Sequence, residues 1–279
     1  MKKLVMLLVL VLTFVFVGCG KNDELNFGKE LRKVDGMVDI LVELDSGSSD
    51  VGVMDSVMAG YYIEQQYKGK LMIVPDLVLA DEEYGIAARK DGAYTTKMIN
   101  KALVELAKAG AVDELAAKYG LTESLCIDKN ATVDLSDETG KADWDAIVAS
   151  GTLKVGYTVF APIAYTDEDN NFVGFDTDLA RAVAAYYDLQ VEFVEIEWAQ
   201  KVNELNTKNI DLIWNGMTIT EAMQEVTSIS VPYLKNKQVA VIRVEDKDVY
   251  KTTEDMKDAI IAAEMGSAGQ FCVEKSEEE

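Results

Sequence analysis

The sequence predicts an α/β protein of mostly parallel, doubly wound sheets. Short apolar stretches alternate with amphipathic helical stretches along most of the chain, and strand–helix–strand order brings parallel pairing with right-handed crossovers. Behind an export-type leader, roughly 250 residues remain, enough for one large core or two lobes of about 100–150 residues each.

The elements follow in order. Residues 50–54, DVGVM, read as a short buried strand followed by Asp55. Residues 56–67 continue as a helix, with Val57, Met58, Tyr61 and Tyr62 at helical spacing. Residues 70–74 and 83–89 are two further strands. Residues 95–109 form an amphipathic helix with Met98, Ile99, Ala102, Leu103 and Leu106 on one face. Gly110 ends it, and a short helix over 112–119 closes at Gly120. Residues 126–143, CIDKNATVDLSDETGKAD, lack an apolar period and are rich in turn formers, so they read as an interior linker. A helix starts over 144–149 and a strand covers 153–157. The helix over 175–187 turns Leu179, Ala182, Val183 and Tyr186 inward. Then come a strand at 191–196, a helix at 199–207 and a strand at 210–214. A longer apolar strand covers 236–244, and the strand at 260–264 runs into GSAGQ.

The first residues, MKKLVMLLVLVLTFVFVGCG, have the n-region and h-region of an export signal, ending at Gly18-Cys19. The apolar run is short for a membrane span of ~20 residues. A lipid-bearing Cys19 is therefore expected, with an uncleaved anchor as the alternative. The formal charge is −22, from 27 basic and 49 acidic residues. That excess argues against nucleic acid, whose phosphates require basic patches. It suits a soluble extracytoplasmic body kept off an anionic membrane. There is no histidine, which removes the Ser-His and Cys-His catalytic arrangements and the commonest zinc ligand. No metal or cofactor is expected. Besides Cys19 there are only Cys126 and Cys272, which form no disulfide framework; a single bridge between them is possible but unforced.

Two blocks carry a resemblance. The later one contains VGYTVFAPIAYTDEDNNFVGFDTDLA, EIEW, DLIWNGMTIT, SVPYLKNKQVAVI and GSAG; the earlier one contains DVGVMDSVMAGYYI and DEEYGIAARKD. Together they resemble the bacterial extracellular solute-binding proteins of family 3, the polar amino-acid-binding components of ABC importers, but in swapped order. Joining Glu279 to about Leu25 restores the family order, so the chain looks circularly permuted; a gene-model error is the plainer alternative. The resemblance implies a two-lobe, periplasmic-binding-protein-like (type II) α/β fold with a ligand cleft. Residues 1–18 are then the signal and 19–24 a tether. Lobe 1 covers 81–237, with the linker 126–143 inside it. Lobe 2 is split between 25–79 and 239–279, with hinges near Lys237-Gln238 and near residues 80–83. Glu279 and the Leu25 region should lie close together.

The resemblance also implies the ligand groups. Stripping an amino acid's ammonium and carboxylate of water is costly unless each finds a partner. Asp55 matches the residue that receives the α-ammonium; it could equally cap the following helix. Asn215, Gly216, Thr218 and Thr220 match a turn whose backbone and hydroxyl groups hold both charges. Ser267 and Ala268 open a helix suited to a carboxylate. Phe160 and Trp198 match aromatics flanking the ligand side chain. Tyr157 lies where some relatives have an acidic residue. Met223 stands where relatives usually carry a carboxylate-clamping arginine.

The implied function is a lipid-anchored, non-catalytic, monomeric substrate-binding protein of an ABC importer. Its partners are a small polar amino acid, the permease and the ATPase, and a membrane reached through its lipid. A sensory receptor module and a dehydratase or lyase on the same scaffold are the rivals.

Overall fold

The structure, a computed structural model, describes residues 24–275. The expected signal 1–18, Cys19, most of the tether and Glu279 lie outside the described residues.

β1 (Glu30–Val34) leads into α1 (Met37–Asp45), which buries Ile40, Leu41 and Leu44 at helical spacing. β2 (Val51–Asp55) is buried along its whole length, and α2 (Ser56–Gln65) follows it. β3 then runs from Leu71 to Arg89 as one strand, which corrects the expectation of two strands at 70–74 and 83–89. The ladder with β10 (Leu234–Arg243) continues beyond the break and slips register around Pro75, where Asp76 has φ 60°. Proline has no N–H to donate and is accommodated at such an irregularity.

α3 (Ala93–Lys108) packs against α4 (Ala111–Lys118) and α5 (Lys141–Ser150). β4 (Thr152–Tyr157) is followed by a hairpin, β5 (Tyr165–Thr166) and β6 (Phe172–Val173). α6 (Phe175–Tyr186) buries Phe175, Leu179, Ala180, Val183 and Ala184. Tyr186, expected inward, is 41% exposed, and Ala182 is only partly buried. Tyr187 takes the inner position, with its ring edge on Trp144 at 4.8 Å and its hydroxyl donating to the Met98 carbonyl at 2.7 Å.

After β7 (Gln190–Glu195), the helix expected over 199–207 is a 3₁₀ turn, Trp198–Gln200, and then α7 (Lys201–Asn206). β8 spans Leu212–Thr218, two residues later than expected at its start. Pairing with both β4 and β3 extends it, so Asn215, Gly216 and Thr218 lie in the strand and not in a turn after it. α8 (Glu221–Val226), β9 (Thr227–Ile229), β11 (Ile260–Glu264) and α9 (Ala268–Val273) complete the fold.

The strand order is β1-β11-β2-β10-β3-β8-β4-β7, with β9 paired to β3. β1, β11 and β2 are parallel at one end, and β8, β4 and β7 at the other. Antiparallel β10 and β3 run between them. This is the two-lobe α/β architecture, with β3 and β10 joining the two parallel sets into one continuous sheet. Asp81 pairs with Lys237 and Ala80 with Gln238, side by side on those two strands.

Arg89 fastens the far side. It is 5% exposed and donates to Asp143 at 2.7 Å, Asp211 at 3.1 Å and the carbonyls of Leu205 and Ile210. The two ends of the described chain meet: Leu25 bridges Glu274, Asn26 N donates to the Val273 carbonyl at 2.7 Å, and Lys275 N to that of Glu24 at 2.8 Å. Cys126 and Cys272 are both free. Among the described residues, no helix is long and apolar enough to cross a membrane.

Candidate functional site

A cavity of about 370 Å³ opens between the two parallel sets. Every expected ligand residue lines it except Tyr157. Strand alternation explains the exception: Thr158, one residue on, faces the cavity, while the Tyr157 ring packs on Phe172 and Phe193 at 4.5 and 6.3 Å.

Asp55 ends β2 and is 5% exposed. Its side chain makes no capping bond to α2. Asn236 on β10 does that instead, its Oδ1 accepting from Ser56 Oγ at 3.0 Å and Val57 N at 3.3 Å. The Asn236 amide donates to Asp55 Oδ1 and, at 2.9 Å, to Glu82 Oε2. Gln238 Nε2 repeats the pattern at 2.7 and 3.0 Å. Two amides thus hold two buried carboxyls together. Burial first, and then the neighbouring Glu82, push the Asp55 carboxyl well above its ordinary range. A ligand ammonium arriving there would stabilise the charged form.

The opposite wall comes from β8 and its neighbours. Gly216 sits at φ 60°, where a Cβ would lie 2.7 Å from Phe160 Cε1 and 3.2 Å from Tyr84 Cε2. Its N–H is already engaged by buried Asp176 Oδ2 at 2.7 Å, so that donor is not open to a ligand. Asn215 Nδ2 donates to Thr158 Oγ1 at 2.8 Å, leaving a buried, unpartnered Oδ1. Thr220 caps α8 by accepting from Met223 N at 3.1 Å, and Ser267 caps α9 by accepting from Gln270 N at 3.2 Å. Both hydroxyls do what ordinary cap residues do. Each still has an O–H donor, and both residues line the cavity. Phe160 and Trp198 are buried aromatic walls at 2% and 8% exposure.

Sequence reasoning missed Lys201 and Glu264. Lys201 opens α7 directly behind Trp198, and its ammonium lies 4.7 Å over that indole. It donates to the Trp198 carbonyl at 3.2 Å and, across the cavity, to the Gly266 carbonyl at 2.8 Å. Burial pulls it down to about 8. Glu264 ends β11 as Asp55 ends β2, and burial lifts it to about 8. A carboxylate closing an apolar strand was the available signal for Glu264; no pattern marked Lys201. At Gly266 (φ 74°) the walls touch, a Cβ there falling 3.0 Å from Ala199 Cα.

Among the described residues no cluster of three or more histidine, cysteine, aspartate or glutamate side chains could hold a metal ion. The arrangement suits capture of a small zwitterion between two walls.

Residues 153–270 match the model of the bacterial extracellular solute-binding proteins, family 3. The ABC transporter arginine-binding protein 1 of Escherichia coli K12 is 30% identical over 44% of this chain and 50% of its own length. A cyclohexadienyl dehydratase of Pseudomonas aeruginosa is 24% identical over 45% and 47%. Among solved structures, an ABC uptake transporter substrate-binding protein from Streptococcus pneumoniae with bound histidine is 34% identical over 30% of this chain and 35% of its own, with a TM-score of 0.29. The chain spans about half the length of the curated relatives it matches. Over residues 153–270 the chain is similar to the bacterial extracellular solute-binding proteins, family 3.

Proposed function

We propose that this protein is the substrate-binding component of an ABC importer and captures a polar amino acid in its interlobe cavity. One observation supports the reading most: Asp55, Phe160, Trp198, Gly216 and Ser267, scattered over the chain, line one cavity between the two lobes. Asp55 receives the ammonium together with the Gly216 carbonyl, while Thr218, Thr220, Ser267 and the backbone at Ala268 face the carboxylate. Asn215 shapes the floor. Lobe 1 is residues 81–237 and lobe 2 combines 25–79 with 239–279. Contacts from both lobes exist only in the closed form, so the ligand favours closure about the hinges at 80–83 and Lys237-Gln238. The closed form is then presented to the permease and its ATPase, with a lipid on Cys19 as tether. Calorimetry against a panel of amino acids tests this; binding is expected at micromolar affinity or better, and no hit would refute it. For the tether, Cys19→Ser should release the protein from the membrane fraction.

The swapped block order is read as a circular permutation. The pairing of Leu25 with Glu274 and of Asn26 with Val273 supports it. A rearranged chain, joined at the present ends and opened within 126–143, should fold and bind the same solute.

The dehydratase relative makes turnover the rival. An assay with cyclohexadienyl acids discriminates: absence of product formation supports a transport role, and turnover supports the dehydratase reading.

A further inference from the structure

The cavity has a second polar end that the expected ligand residues leave out. Lys201 and Glu264 line it from opposite walls, with Trp198 beside Lys201 and Met37 beside Glu264. Glu264 is 2% exposed, and its Oε1 is buried without a hydrogen-bond partner. A bare carboxyl oxygen in a buried site costs free energy unless something satisfies it. Lys201 is 9% exposed and spends two hydrogen bonds on the carbonyls of Trp198 and Gly266. An ammonium has three donors, so one remains.

Resting on the amino-acid reading above, we infer that Lys201 and Glu264 form a side-chain-reading subsite. It selects an amino acid whose side chain ends in a carboxamide-type group and rejects ammonium and guanidinium side chains.

The argument is one of matching donors and acceptors. A carboxamide carries a carbonyl for the spare Lys201 donor and an N–H for Glu264 Oε1, on neighbouring atoms. A guanidinium or ammonium only donates; it would leave the Lys201 donor unmet and set a second cation beside the first. A carboxylate only accepts, so it fits only while Glu264 carries a proton. Lys201 from α7, Asp39 from α1 and Asp55 from β2 are the charged groups acting on or with Glu264, and burial holds both Glu264 and Lys201 near 8. The amide is satisfied in either state of Glu264, since a protonated carboxyl still offers an acceptor and a donor. Both ligands should weaken as pH rises through about 8, glutamate more steeply, because it loses the Glu264 proton and the Lys201 charge together whereas glutamine loses only the latter.

The test is isothermal titration of the full mature chain with glutamine, asparagine, glutamate, lysine and arginine. An amide-bearing amino acid is expected to bind at least about 10-fold more tightly than lysine or arginine. Lys201→Met should weaken the amide ligand by about 10-fold or more and narrow or reverse its lead over arginine. Glu264→Met, which removes the acceptor, should weaken the amide ligand by about 10-fold, and Glu264→Gln, which keeps an acceptor oxygen, should recover most of that loss. Thermal melts establish that each variant is folded. Tighter binding of arginine or lysine than of every amide, or an unchanged ranking in both methionine variants, overturns the inference and leaves the amino-acid reading intact. If no amino acid binds at all, the functional reading fails and the inference with it.

Discussion

Asp55→Asn is the perturbation that separates the stability of this fold from its function. Asp55 is 5% exposed and shares the amides of Asn236 and Gln238 with Glu82. Asparagine keeps an acceptor oxygen for both amides and removes one of two carboxyls that cannot comfortably be charged together. Burial and Glu82 raise the Asp55 carboxyl well above its ordinary value. A group raised in the folded state favours folding fully below its unfolded value, and that contribution is lost as pH rises through the folded one. The wild type therefore carries a growing cost as pH climbs from about 4 toward neutrality, and the variant does not. Asp55→Asn should match the wild type in stability near pH 4 and exceed it by on the order of 1–3 kcal/mol at pH 7. Its amino-acid affinity should meanwhile fall about 100-fold, since a charge-assisted hydrogen bond of about 1.5–3 kcal/mol and the countercharge for the ammonium both go. Urea denaturation across a pH series and calorimetry on the same samples measure the two effects. A variant less stable than the wild type at pH 7, with affinity intact, would refute the reasoning.

Three further outcomes are expected. Gly216→Ala meets Phe160 at 2.7 Å in a left-handed backbone conformation, so urea denaturation should show a loss of about 2–4 kcal/mol. Arg89→Met strands the carboxylates of Asp143 and Asp211; the same measurement should show a loss of about 3–5 kcal/mol with little direct effect on the cavity. Met223→Arg brings a guanidinium to a residue that already lines the cavity, and titration should show amino-acid binding tightened about 10-fold or more.

Much of the fold was legible because its signals are local. The strands at β2 and β11 end in Asp55 and Glu264 where apolar runs stop, and helix α3 carries its apolar stripe in plain view. What misled was also local. Pro75 and the acidic stretch 81–83 look like a break, yet β10 pairs along both sides and makes one strand of them. Tyr186 and Tyr187 are equivalent in composition, and only packing against Trp144 and Met98 decided which turns inward. The same holds in the site. Tyr157 and Thr158 differ by one step of a two-residue period, and the position of the cavity chose Thr158.

By itself, then, the sequence determined the α/β class, because periodicity is a property of neighbouring residues, and its resemblance to a solute-binding family pointed to most of the cavity's walls. Only the tertiary structure decided that Asn236, not Asp55, caps α2, that Gly216's N–H is already taken by Asp176, and that Lys201 reaches Gly266 across the cavity. Those partners are distant along the chain. Hydrogen bonds and buried charges are settled by distance in space, which the two crossing strands set and no local pattern records.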